Sequence, residues 1–245
     1  MLNVPQTILI TGGTSGVGLA LVNQLHDEGH NIVIVARNVT KFKQLLHQYK
    51  NLNCYLCDLA SRQQVETLCN DIIENHPDIS IIINNAGIQY TPCFVEDEFN
   101  FDSIEHETRV NFLAPAWITY LLLPAFINNA SPSAIVNISS GLALAPKTHS
   151  AVYCATKSAL HSLSQSLRYQ LAESNVRVME ALLPLVDTPM TTGRGRNKLS
   201  PKEAAAQIIS GVKSEKNEIY VGKARFLPLL MRISPALVKN MLRRS

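Results

Sequence analysis

Several features are missing from this chain, and each absence removes a class of protein. Its five cysteines are odd in number and lack framework spacing, so reduced thiols are expected rather than a disulfide scaffold. The nearest thing to a metal motif, Cys54-x-x-Cys57, lies in a strand-like segment where residues three apart point to opposite faces. Core packing is expected there and no metal site. His149 and His161 also lack ligand spacing with other donors and read as solvated or capping groups. No apolar run is expected to approach the ~20 uncharged residues of a membrane span. Residues 1–6 do not have the basic-then-apolar start of a secretion signal, so a cytoplasmic location is expected. Internal repeats and low-complexity segments are absent too.

A large charge excess is also missing. The net charge of +3 is unevenly spread: residues 222–245 carry Lys223, Arg225, Arg232, Lys239, Arg243 and Arg244 and no acid, leaving sixteen basic against nineteen acidic residues elsewhere. By charge, that body is no nucleic-acid binder. What is present is apolar: 245 residues at 46% hydrophobic suffice for one full α/β core and are too few for two generous domains.

The apolar pattern alternates between periods. Thr7–Thr11 is a short β-branched run, followed by Gly12-Gly13-Thr14-Ser15-Gly16-Val17-Gly18 and then Leu19, Leu21, Val22 and Leu25. Further strands are predicted at 31–36, 53–57, 79–83, 134–138, 177–183 and 218–221. Helices are predicted at 39–49, 62–75, 101–127, 151–173 and 201–213, with Pro115 and Pro124 bending or ending the third of these locally. Such alternation implies right-handed crossovers and a Rossmann-like, doubly wound parallel sheet of about seven strands. The reading is one domain, 1–221, with a basic amphipathic tail, 222–245.

In a sheet of this kind ligands lie at the carboxyl ends of the strands. The segment Gly12, Thr14, Ser15, Gly16, Val17 and Gly18 falls at one such end, where glycines permit a sharp turn and a helix start offers N–H groups to a pyrophosphate. After the second strand stand Arg37 and Asn38. A carboxylate there would accept from a ribose 2′-hydroxyl, whereas an arginine suits a 2′-phosphate, so NADP(H) is favoured, NAD(H) is not excluded, and Arg37 as a solvated strand-end charge is the plain alternative. Asp58, followed by Leu59, fits equally an acceptor for the adenine amino group and a residue near a helix N-cap. Asn85, Ala86 and Gly87 end the fourth strand.

Tyr153 and Lys157 are four apart, on one face of the predicted helix and about 6 Å apart along its axis. Both groups release protons near pH ~10, and a cation held beside a phenol favours the phenolate. Ser140, thirteen residues before Tyr153, can hold a substrate oxygen facing that phenol. Cys154 beside Tyr153 faces another direction and reads as packing.

With these pieces the chain resembles the short-chain dehydrogenase/reductase family. The matches are Thr11-Gly12-x-x-x-Gly16-x-Gly18, Asn84-Asn85-Ala86-Gly87, Asn111, Ser140, Tyr153-x-x-x-Lys157 and Asp187-Thr188, in the family's order. The runs 137–142 and 152–162 are similar to DltE-like oxidoreductases. The resemblance implies Tyr153 as acid or base, Lys157 depressing its pKa and holding the nicotinamide ribose, and Ser140 positioning the substrate oxygen, selected over Ser139 by the family's spacing. It implies Asn111 holding a water, Asn85 to Gly87 lining the adenosine ribose, and Pro184, Val186 and Thr188 near the carboxamide and phosphates. Leu183-Pro184 stands where the family has Pro-Gly, a stiffer wall. A homodimer or homotetramer through the helices of Asn111 and Tyr153 is also implied.

The substrate side, 88–100, 142–150 and 191–200, mixes Tyr90, Phe94, Leu142 and Leu144 with few charges, so a small neutral or apolar carbonyl or alcohol is expected. Loop 191–198 reads as a lid. In the tail, Phe226, Leu229, Leu230, Ile233 and Leu237 recur at helical spacing among basic residues; packing on the body or a second subunit is favoured over a weak, peripheral membrane contact. Two other readings, a dinucleotide-binding sensor and a membrane-surface interaction protein, leave the Ser140, Tyr153, Lys157 and Asn111 set without a use.

Overall fold

The computed structural model describes residues 1–49 and 52–243. The chain runs β1 (Thr7–Thr11), α1 (Gly16–Asp27), β2 (Asn31–Ala36), α2 (Val39–Gln48), β3 (Leu52–Leu56), α3 (Arg62–Asn75) and β4 (Ile79–Asn84). It continues through α4 (Asp102–Thr108), a π-helical turn (Arg109–Leu113), α5 (Ala114–Asn128), β5 (Ser133–Ser140), α6 (Ala151–Gln170) and β6 (Val176–Leu183). Last come α7 (Pro201–Lys213), β7 (Glu218–Tyr220), α8 (Leu227–Ile233) and α9 (Pro235–Arg243). All strand pairs are parallel, in the order β3-β2-β1-β4-β5-β6-β7. The doubly wound sheet is the one the alternation predicts.

β1, β4 and β5 are buried along their whole length, which is why they read as near-continuous aliphatic runs: helices cover both faces. Successive residues still divide between the faces. Ile8 and Ile10 join a core with Leu21, Val22, Leu25 and Ile208, whereas Leu9 packs in the opposite layer with Ile72, Leu122 and Phe126.

The long apolar helix differs from expectation. Its break falls at Arg109–Leu113, before either proline, because Pro115 has no N–H to donate to the carbonyl of Asn111, four residues earlier, and its ring crowds that carbonyl. The backbone widens instead, with Ala114 N–H bonded to Arg109 O. The expectation that no run approaches a membrane span was also too strict: helix Asp102–Asn128 is long and apolar enough by length and composition alone. Val110, Ala114, Ile118, Leu122 and Phe126 line its sheet-facing side.

The tail folds back on the body. Ala224, Leu227 and Val238 bury themselves against Ala145, and Arg243 O accepts from both Thr148 N–H, at 3.1 Å, and Thr148 Oγ1, at 2.9 Å. Its outer side leaves Phe226, Leu229, Ile233 and Leu237 exposed. Of the apolar residues with helical spacing, Leu230 alone packs toward the body. Arg244 and Ser245 lie outside the described residues.

Candidate active site

A cleft of about 1760 Å³ opens along the carboxyl edge of the sheet, large enough for a dinucleotide together with a second molecule. Its floor at one end is the turn after β1. Gly12 and Gly16 have φ of +70° and +54°, which side chains rarely adopt. At Gly18 the limit is space: a Cβ would collide with Gly12 O and Asn85 Nδ2. The same Asn85 amide donates to Thr11 O at 2.9 Å, and Thr11 Oγ1 accepts from the N–H groups of Asn85 and Ala86, each at 3.0 Å. β4 thereby braces the turn. Ser15 is the N-cap of α1 without a side-chain capping bond, so the helix start, with Thr14, Ser15 and Val17, faces the cleft. Thr188 closes from the other side, its Cγ2 3.0 Å from where a Gly16 Cβ would stand. This narrow, N–H-rich cradle fits a dinucleotide pyrophosphate.

Farther along, Arg37, Asn38, Asp58 and Leu59 line the cleft as the sequence predicts. Arg37 Nη1 lies 3.8 Å from Asp58 Oδ1. Asn38 caps α2 by accepting from Lys41 N–H at 2.9 Å, which brings Lys41 to the same wall. Lys41 escaped sequence reading, although it stands one helical turn from Arg37. Asp58 turns the chain by accepting from Ala60 N–H at 3.1 Å; the N-cap of α3 is Ser61.

At the centre, β5 and α6 bring Ser140, Tyr153 and Lys157 together. Ser140 lies beside the Tyr153 phenol, whose pKa it lowers, and accepts from Leu142 N–H at 3.1 Å, whereas Ser139 Oγ is buried without a partner among the described residues. Lys157 Nζ lies 5.7 Å from the Tyr153 ring centre and donates to Ile138 O at 2.8 Å. Burial pushes the phenol up to about 12, with Ser140 pulling the other way. This differs from the expected depression: desolvation dominates, and the groups that pull the phenol down are Ser140 and Arg194 rather than Lys157. Burial likewise brings Lys157 down to about 8, opposed by the carboxylate of Glu180.

Asn111, fully buried in the π turn, clamps the segment that follows Gly87. Its Oδ1 accepts from Ile88 N–H and its Nδ2 donates to Ile88 O, both at 2.9 Å, with a further bond to Thr156 Oγ1 at 3.2 Å. Gly87 separates Asn111 from Lys157: a Cβ there would lie 3.4 Å from Asn111 Oδ1 and 3.8 Å from Lys157 Nζ. Pro184 and Val186 reach the cleft, and Val186 O accepts from Thr191 Oγ1 at 2.5 Å.

Of the two histidines, His149 is exposed as expected, and His161 departs from its expected role. His161 is not a solvated group: its Nδ1 lies 2.6 Å from Oε2 of the fully buried Glu180, which raises its pKa. Register brings Asn84, Asn137, Glu180 and Glu218 into one row across β4 to β7, behind Lys157. Sequence reading missed this row because it links residues that only strand pairing aligns. His149 sits 3.2 Å from Cys93 Sγ, with Glu96 in the same cluster at the mouth. Glu107 was missed as well; it lies one turn before Asn111, buried, with Oε1 accepting from Tyr90 N–H at 2.8 Å.

Comparison with known proteins agrees with this fold. The family model of the short chain dehydrogenases matches residues 6–199. The oxidoreductase DltE of Bacillus subtilis (strain 168) is 35% identical over 220 residues, covering 87% of this chain and 86% of that one. A short chain dehydrogenase from Burkholderia cenocepacia J2315, crystallised in complex with NADP, superposes with a TM-score of 0.87 at 22% identity over 97% of both chains. One from Burkholderia phymatum, in complex with NAD, gives 0.86 at 17% identity, covering 100% of this chain and 97% of that one.

Proposed function

Since the chain belongs to the short-chain dehydrogenase family, we propose that it is an NADP(H)-dependent oxidoreductase interconverting a carbonyl and an alcohol on a small molecule with an apolar body. The observation that carries this is the meeting of Ser140, Tyr153 and Lys157 in the cleft that also holds the glycine cradle. A bound nicotinamide dinucleotide supplies or accepts the hydride. Gly12 to Gly18 and Thr188 would hold its pyrophosphate, with Asn85 to Gly87, Pro184 and Val186 beside its riboses and carboxamide. Arg37 and Lys41 would take a 2′-phosphate, which favours NADP(H).

Ser140 donates to the substrate oxygen and fixes it against Tyr153. The phenol, neutral at pH 7 because burial raises its pKa to about 12, gives that oxygen its proton during reduction. The Lys157 ammonium then stabilises the phenolate left behind, and Asn111 holds the wall beside it. Since Lys157 loses its proton at about 8, the rate of reduction is expected to fall as pH rises through that value. Loop 191–198, pinned at its ends by Asp187 N–H to Leu199 O at 2.8 Å and Leu199 N–H to Leu185 O at 3.1 Å, is suited to close over the cofactor. Oligomer contacts through α5 and α6 are favoured by the exposed Tyr120, Ile127 and Tyr169. A cytoplasmic location, with weak peripheral contact through the outer face of α8 and α9, fits the exposed apolar and basic residues there.

Fluorescence titration with NADPH and NADH, followed by cofactor oxidation against a panel of aldehydes and ketones, tests the reading. NADPH is expected to bind more tightly, and Tyr153→Phe to lower turnover by at least about a thousandfold without weakening cofactor binding. Cofactor binding without turnover by the wild type on any carbonyl would favour a sensor.

A further inference from the structure

The expectation of a neutral substrate overlooks two cations that folding brings to one place. Lys147 comes from the loop between β5 and α6, and Arg194 from the loop after β6. Both are half-buried and both line the cleft with Tyr153. Lys147 stands close enough to the thiol of Cys154, the neighbour of Tyr153, for each to shift the other's proton affinity. Arg194 is held from the opposite wall, its Nη1 donating to Gln89 Oε1 at 2.5 Å. A guanidinium carries five donors, so one neutral amide leaves most of the fork free.

Among the described residues, neither cation has a carboxylate within ion-pair reach, whereas Lys198 and Lys213 each find one. The acids on the mouth side of the cleft are Glu96 and Glu98, and Glu96 is turned to Cys93 N–H at 2.8 Å. Arg196 and Lys223 add positive charge to the same cleft. Burial, and then Arg194, lowers the pKa of Lys147, as expected for two like charges held close and partly out of water. Such a pair is unfavourable by itself and becomes favourable when one anion bridges it.

We propose that Lys147 and Arg194 form an oxyanion subsite beside Tyr153, so that the substrate bears a carboxylate or phosphate group near its reacting carbonyl or alcohol carbon. This rests on the oxidoreductase reading of the cleft. Leu142, Leu185 and Leu227 would cover the apolar part of such a molecule.

The test has one arm with turnover and one without. In the first, kcat/KM with NADPH is compared between an oxo-acid and its methyl ester, and between an aldehyde phosphate and the parent aldehyde. The anion is expected to be preferred by at least about tenfold, with KM rising with salt. That preference should vanish in Lys147→Met and in Arg194→Gln, with the melting temperature unchanged. In the second arm, hexanoate, hexyl phosphate and hexanol are titrated calorimetrically into full-length protein saturated with NADP+. The better of the two anions identifies the oxyanion, and its binding should be lost in both variants. An ester or hexanol handled as well as the anion overturns the subsite, as do variants that weaken NADPH alone, which would assign the pair to the cofactor. Variant-sensitive anion binding with no turnover on any carbonyl instead overturns the oxidoreductase reading and leaves the subsite standing.

Discussion

Glu107 shows what a single buried side chain adds to this site. It is 1% exposed, and burial lifts its carboxyl to about 7 against the partial opposition of Tyr90 N–H. Between about 4.5 and 7 the native state therefore holds a proton that the unfolded chain has released, so this group makes stability fall as pH rises through that window. Glu107→Gln keeps an acceptor for Tyr90 and removes the titration. Its melting temperature relative to wild type is expected to climb from pH 5 to pH 8, by the equivalent of up to about 3 kcal/mol. A difference that stays flat with pH would mean that Glu107 is ionised throughout. At this scale Tyr153 and Lys157 were legible because their spacing alone puts them on one helix face, and Ser140 because its distance from Tyr153 matches the family it resembles. Glu107, Glu180 and Lys147 were not, because a lone carboxylate or lysine in a sequence carries no sign of how deeply it will be buried or what will face it.

Elements were legible wherever period and composition agreed. The seven strands fall within a residue or two of their predicted ends, since each is an aliphatic run bounded by turn residues. The π turn was not, because the proline that causes it acts on a carbonyl four residues upstream and so moves the distortion away from itself. That displacement places Asn111 where it clamps Ile88. The turn between β1 and α1 is the other element whose shape matters more than its stability. Gly18→Ala would drive a methyl into Gly12 O and the Asn85 amide, the two groups that set the width of the cradle. NADPH affinity is expected to fall at least about tenfold, with a loss of roughly 1–3 kcal/mol in stability from overpacking. Gly29→Ala is the contrast: φ is +87° but nothing lies within 4 Å of the added methyl, so strain should lower the melting temperature and leave cofactor affinity alone. Equal cofactor binding by wild type and Gly18→Ala would show that the cradle is not where the dinucleotide sits.

At the scale of the whole molecule, the tail has two faces with different work. Ala224, Leu227 and Val238 seal Ala145 from solvent, and Ala224, Leu227, Met241 and Leu242 form part of the cleft wall, so the last helices belong to the catalytic body as well as to its surface. Truncation after Val221 removes that cover; with each buried Leu or Val worth about 1.5–3 kcal/mol, a loss on the order of 3–6 kcal/mol is expected, together with a raised KM for apolar substrates. The outer face is a separate matter. Phe226, Leu229, Ile233 and Leu237 are 50%, 59%, 71% and 56% exposed and stand among Arg225, Arg232 and Lys239. Short helices of this kind hold a surface by shallow apolar insertion helped by charge, and a few such residues give only weak binding. The full chain is therefore expected to float partly with vesicles rich in anionic lipid and not with neutral ones, with the bound fraction falling as salt rises. Ile233→Asp with Leu237→Asp should abolish flotation and leave the melting temperature unchanged, because neither side chain packs in the core. If the full chain fails to float on anionic vesicles, no membrane contact is made, and the exposed face is left for a second copy of the chain.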